Sequence, residues 1–157
     1  MGILSRHKTK KLVTEEHYKN IGSVVCPYFS TPVIFNADGF NHLQFNGAGA
    51  ERDKLSQLNK FNLFQYVPSI VEKSGTIQEY RKTWGAVGRK KSKGQDMKEI
   101  EYWGFISIIK GVDSKFLKVK VILRRVGTGN IIFWSVMLEV NKNKDTYHLA
   151  TGDLIND

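Results

Sequence analysis

Histidine, arginine, lysine and serine are the side chains here that could do acid–base or phosphate chemistry, and four groupings of them stand out. His42 is the first; it precedes a small-residue stretch, Gly47-Ala48-Gly49-Ala50, and the charged cluster Glu51-Arg52-Asp53-Lys54. An imidazole titrates near neutral pH, so a histidine beside Arg and Lys can serve as general acid or base. The plainer alternative, a histidine that only hydrogen-bonds a buried carbonyl, stays open. Lys118, Lys120 and Arg124 form the second group, alternating along residues 116–125. Trp134 and Ser135 form the third, in the apolar run that follows. The fourth is a charge run: from Lys73 to Lys98 eight basic residues, Arg81, Arg89, Lys90 and Lys91 among them, face two acids, an excess of six in a chain of net charge +9. Clustered Lys and Arg attract polyanions through counterion release, although a solvated hairpin tip is the commoner outcome of a single basic run.

The chain lacks several other chemistries. It contains no GxxxxGK(S/T) loop, no HExxH and a single cysteine, Cys26; His7, His17, His42 and His148 are at no metal-ligand spacing from one another. No metal or cofactor is therefore expected. RNA cleavage needs neither: the 2′-hydroxyl attacks the adjacent phosphorus if a base takes its proton and a cation stabilises the phosphoryl oxygens. A two-metal nuclease would instead want several converging carboxylates. No apolar stretch approaches the roughly 20 residues that span a bilayer, and the basic N-terminus lacks the apolar segment of a signal peptide. These features give the expectation of a cytoplasmic chain with no membrane role.

The elements that must position these groups follow from periodicity. A length of 157 residues and 41% hydrophobic content fit one domain with its own core. Residues 2–20 are polar and basic, a helix or arm. Pro27 and Pro32 exclude one long helix, residues 33–35 form a short strand, and Asn36-Ala37-Asp38-Gly39 carries a turn signal. Residues 40–45 fit a strand or the lead into a helix. Leu55, Leu58, Phe61 and Phe64 repeat at helical spacing, and Pro68 opens another helical turn through Val71. Strand patterns then cover residues 76–84, 100–109, 116–125 and 131–140, with a hairpin turn at Gly127-Thr128-Gly129-Asn130. The expected fold is α+β, N-terminal helices packed on a four-stranded antiparallel meander. On its third strand, Leu117, Val119, Val121 and Leu123 share one face. Lys118, Lys120, Ile122 and Arg124 share the other, expected to be cationic, outside the main core, and flanked by Phe133 and Ser135 or by Trp134 and Val136. Such an open basic and aromatic face suits RNA, phosphates pairing with Lys or Arg and bases stacking on rings; an ordinary solvated face is the equal alternative.

Taken in order, Phe35-Asn-Ala-Asp-Gly-Phe-Asn-His42-Leu, Gly49-Ala-Glu-Arg52-Asp-Lys, Pro68-Ser-Ile-Val-Glu-Lys-Ser-Gly75, Tyr80-Arg81, Glu101-Tyr-Trp-Gly104, residues 119–125 and Phe133-Trp-Ser135-Val-Met form a familiar series. It resembles the phage and mobile-element branch of the barnase–EndoU–colicin–RelE-like nucleases, the PBECR domains. The resemblance covers residues 31–140, leaving 1–30 as an N-terminal arm or helix and 141–157 as a polar tail of one domain, 1–157. It implies a metal-independent RNA endonuclease, toxin-like, with tRNA as one target. Carried over by position, His42 would be the general acid/base, Arg52 would lie on the substrate phosphate, Arg124 would stabilise the transition state, and Ser135 would hydrogen-bond phosphate or substrate. Arg81 would be a lesser substrate contact, beside the substrate-binding candidates Lys118, Lys120, Arg89, Lys90, Lys91 and Trp134. Two alternatives stand beside this one: a nucleic-acid-binding module that does not cleave, and a protein whose basic surface meets an acidic immunity or host partner.

Overall fold

The computed structural model describes residues 2–91, 94–139, 154, 155 and 157, except for the side chains of residues 88–91 and 95. The chain runs α1 (Ile3–Ile21), β1 (Ser23–Cys26), β2 (Thr31–Ile34), α2 (Ala37–Gln44), α3 (Lys54–Phe64), α4 (Val67–Lys73), β3 (Glu79–Lys91), β4 (Gly94–Lys110), β5 (Phe116–Val126) and β6 (Ile132–Leu138). The six strands form one sheet in the order β1-β2-β6-β5-β4-β3.

The α+β class agrees with the sequence, but the sheet is six-stranded and mixed, not a four-stranded antiparallel meander. The meander is β3 to β6. Its extension is a short β1–β2 hairpin that joins β6 in parallel through the pair Ile34 and Ile132. Pro27 and Pro32 exclude a helix without excluding strands. Pro27 follows β1, and Pro32 lies in β2 outside the single contact with β6, where its missing N–H costs nothing to that pairing.

The ambiguous segment 40–45 is helical. Asn36, expected in a turn, caps α2 by accepting from the backbone N–H of Gly39 at 3.2 Å. Asn favours turns and helix starts for the same reason, a short side chain that bonds the nearby backbone. Gly39 is required by close approach: a Cβ there would lie 2.2 Å from the Phe133 carbonyl oxygen and 2.5 Å from the Tyr18 hydroxyl. Helix α2 is thus pressed against the backbone of β6. Helix α1 buries His7, Thr14 and Tyr18, one stripe at spacings of seven and four.

The main core lies between the helices and one sheet face. Tyr18, Leu43, Phe61, Phe64, Val67 and Val71 meet Trp103, Phe105, Val119, Val121, Leu123 and Phe133. The opposite face, expected to be open, is covered. Ile100, Tyr102, Ile122, Ile132, Trp134 and Met137 form a second cluster there with Leu154, and Lys120 and Ile122 are fully buried. Lys120 is therefore no surface cation; Leu154 and Asp157, expected within a polar tail, supply part of its cover.

Candidate functional site

A β-bulge builds the centre of the site. Ile122 pairs with Ser135 but Leu123 pairs with Phe133, so Trp134 is an extra residue on β6. The bulge lets Trp134 and Ser135 both contact groups on the second sheet face. Trp134 stacks on His42 of α2, ring centroids 4.0 Å apart at 19°. The Arg124 guanidinium sits 4.2 Å from the Trp134 ring centroid and 5.7 Å from that of Tyr102. Such contacts hold a cation without cancelling its charge.

His42, Arg124 and Trp134 line a cavity of about 390 Å³ together with Asp38, Asn41, Asn46, Ala86 and Val87. Arg124 makes no ion pair among the described residues, and its Nε is buried without a hydrogen-bond partner there. A half-buried guanidinium in this state keeps donors that an anion could accept from.

Arg52 grips His42 twice. Its Nε donates to the His42 carbonyl oxygen and its Nη2 to His42 Nε2, each at 3.0 Å. A guanidinium only donates, so Nε2 accepts and the imidazole proton resides on Nδ1. Burial, then the charges of Arg52, Lys60 and Arg124, lower the His42 pKa to about 2. His42 is therefore neutral at physiological pH and is no general acid in the free protein. Arg52 is fixed in turn: Gln57 Nε2 donates to its carbonyl oxygen at 2.7 Å, and Gln57 Oε1 lies 2.8 Å from His7 Nε2. The small-residue stretch is a compact loop in which Asn46 accepts from the N–H groups of Ala48 and Ala50, both at 3.0 Å.

Behind Trp134 lies a buried polar cluster. Lys60 Nζ donates to Ser135 Oγ at 3.0 Å, to the Val136 carbonyl oxygen at 3.1 Å and to the Asp157 main-chain oxygen at 2.7 Å. Ser135 Oγ donates to that same oxygen at 2.6 Å. Lys120 Nζ lies 2.7 Å from Glu79 Oε2 and 3.7 Å from Asp157 Oδ2. Burial drives the Lys60 pKa well below the usual amine range, with Arg52 and Lys120 adding to the shift and Asp157 opposing it. Burial likewise lowers Arg52, again opposed by Asp157.

The structure thus brings together His42, Arg52, Arg124, Trp134, Ser135 and Lys120, although of these only His42, Arg124 and Trp134 line the cavity; Arg52 is bonded to His42, and Ser135 and Lys120 are in the buried cluster. Lys118 and Arg81 are exposed and do not line the cavity. The side chains of Arg89, Lys90 and Lys91 lie outside the described residues; their strand leaves the cavity wall at Val87. Sequence reasoning missed Asn41, Asn46, Lys60, Glu79 and Asp157. Only Lys60 carried a signal, as a lysine among the apolar positions of α3. Among the described residues no three His, Cys, Asp or Glu side chains cluster to hold a metal ion, and no helix is long and apolar enough to cross a membrane. No protein-family model, curated protein or solved structure matches the chain.

Proposed function

We propose that the protein is a metal-independent RNA endonuclease of the kind its motifs resemble, acting at the cavity lined by His42 and Arg124, with Arg52 bonded to His42. The observation that carries this reading is Arg124: a guanidinium spread on Trp134, with no carboxylate paired to it among the described residues, facing an open cavity beside an imidazole and a second arginine. An aromatic plane beside an unpaired cation suits a nucleotide, the base against a ring and the phosphate on the guanidinium. The basic hairpin β3–β4 leaves that wall and extends the field along which a polyanion would approach.

In this reading a bound phosphodiester engages Arg124 and draws Arg52 away from His42 Nε2. The phosphate's negative charge then raises the basicity of the freed imidazole, reversing the effect of the flanking cations. His42 Nε2 takes the 2′-hydroxyl proton as the 2′-oxygen attacks phosphorus in line. The bond to the 5′-oxygen breaks, Arg124 and Arg52 stabilise the phosphoryl oxygens, and water protonates the departing 5′-oxygen. The products are a 2′,3′-cyclic phosphate and a 5′-hydroxyl end. A toxin-like role and tRNA as substrate belong to the same proposal, carried by the resemblance alone.

The test is incubation with labelled RNA in excess EDTA, scoring cyclic phosphate ends. Cleavage by the parent, with losses on the order of 100-fold or more in Arg124→Ala and His42→Ala, is expected. Equal cleavage by parent and variants would overturn the assignment. A second reading, RNA binding without cleavage, draws on the low pKa of His42 and its bond to Arg52; salt-dependent binding with no cyclic phosphate ends would establish it instead.

A further inference from the structure

The geometry points to a second anion subsite behind Trp134, made by Lys60, Ser135, Lys120 and Arg52, which Asp157 fills in cis and which a further phosphate of an RNA strand would otherwise take. The inference rests on the RNA reading above and deepens it.

The donor set is that of a phosphate site. It presents two ammonium groups, a guanidinium and a hydroxyl, and ammonium and guanidinium groups can only donate. What they hold is one residue's oxygens: Lys60 Nζ and Ser135 Oγ both reach the Asp157 main-chain oxygen, at 2.7 and 2.6 Å, while the Asp157 carboxylate lies 3.7 Å from Lys120 Nζ. The negative charge of Asp157 also opposes the lowering of Arg52 and of Lys60. Among the described residues, three basic groups therefore face two acids, Glu79 and Asp157. Without Asp157 they face only Glu79 among the described acids, and a buried cation left uncompensated strongly favours another anion.

The neighbouring residues hold Asp157 in place by unrelated contacts. Leu154 is only 2% exposed, packed in the second cluster, and the Ile155 carbonyl oxygen accepts from Trp134 Nε1 at 3.4 Å. Ile155 thus ties up the polar edge of the same indole whose ring carries Arg124. The cis carboxylate and the cavity share Trp134, and Ser135 is its chain neighbour. A strand whose one phosphate sits on Arg124 would find the next donors at Ser135, one residue along β6 from Trp134, and at the Lys60 amine bonded to it, already occupied by Asp157. Asp157 in this position is a competitive mimic of the RNA backbone.

Binding of a fluorescent 2′-O-methyl RNA strand, which cannot be cleaved by 2′-attack, tests this. Leu154→Asp releases the apolar anchor and leaves the main core untouched. It is expected to bind about tenfold more tightly than the parent, as when a competitor occupies nine-tenths of the sites. Adding Lys60→Met should return affinity to the parent value. Asp157→Asn, which keeps the main-chain bonds, guards against a misfolded Leu154→Asp and should tighten binding about threefold. Folded variants that bind no better than the parent overturn the subsite. If Arg124→Ala still weakens parent binding in that case, the RNA reading survives and only the subsite falls. If neither parent nor variants bind the strand, both fall.

Discussion

The two faces of β5 are both buried at the middle of the strand and chemically opposed. Val119, Val121 and Leu123 point into the main core at 0% exposure, and on the other side Lys120 and Ile122 are buried just as completely. The first face is held by area and shape. Tyr18, Phe35, Phe64 and Phe133 contact one another with ring centroids 5.2 to 6.0 Å apart, and apolar burial of this kind needs no particular partner. The second face is held by named partners: Lys120 by Glu79, Lys60 and Ser135 by Asp157, Arg124 by the faces of two rings. Burial of the first face is unconditional. Burial of the second depends on anions being present, and that dependence gives a protein a place to receive one.

The sharpest way to separate the faces is to cut each. Phe133→Ala leaves a cavity against three aromatic neighbours, Tyr18, Phe35 and Phe64, and should cost about 3–5 kcal/mol in urea denaturation. Lys120→Met preserves volume but strands Glu79, which is 30% exposed and can turn to water. It should cost about 1–3 kcal/mol, and adding Glu79→Gln should recover most of that, because the cost lies in the widowed partner. No recovery in the double variant would mean the second face is held by packing, like the first. Gly39→Ala attacks the seam between α2 and β6. Its methyl meets the Phe133 carbonyl and the Tyr18 hydroxyl, an overpacking penalty of about 1–3 kcal/mol. Because α2 carries His42, the same variant should also loosen the stack on Trp134, visible as a shift in indole fluorescence.

Local pattern made the first face legible and the second only half so. Alternation along residues 116–125 separates Val119, Val121 and Leu123 from Lys120 and Arg124 correctly, and helical spacing of Leu55, Leu58, Phe61 and Phe64 locates α3. The hairpin turn 127–130 is where its glycines put it; Gly127 has φ 55°. What escaped depends on contacts distant in sequence. β2 joins the sheet through Ile34 and Ile132, 98 positions apart, and the cover over Lys120 comes from Leu154 and Asp157. An alternating Lys-x-Lys-x-Ile-x-Arg pattern therefore reads as a solvated face. For His42 the residue and its arginine neighbour were apparent, but the direction of the effect was not. The sequence shows Arg52 ten positions away; only the fold shows it donating to the ring and suppressing its charge.

That suppression yields the last and smallest difference between the faces, a dependence on pH. The first face holds Tyr18 as its ionisable hydroxyl, and burial, aided by the charge of Asp38, pushes that phenol up and out of the physiological range. The second holds His42, lowered from 6.5 to about 2. Between those two values the unfolded chain binds the proton and the folded chain does not, so stability is complete above about pH 6.5 and is lost as pH falls below it. The limiting slope for one such group is about 1.4 kcal/mol per pH unit. His42→Gln keeps an acceptor for Arg52 but cannot titrate. Urea midpoints taken from neutral pH down to about pH 5 should therefore fall less steeply in the variant, by a slope approaching that limit. Other titrating groups contribute to both proteins and cancel in the difference. Equal slopes would mean that His42 protonates as freely in the folded chain as in the unfolded one. The imidazole would then be available as an acid before any phosphate arrives, and Arg52 would have no grip to release.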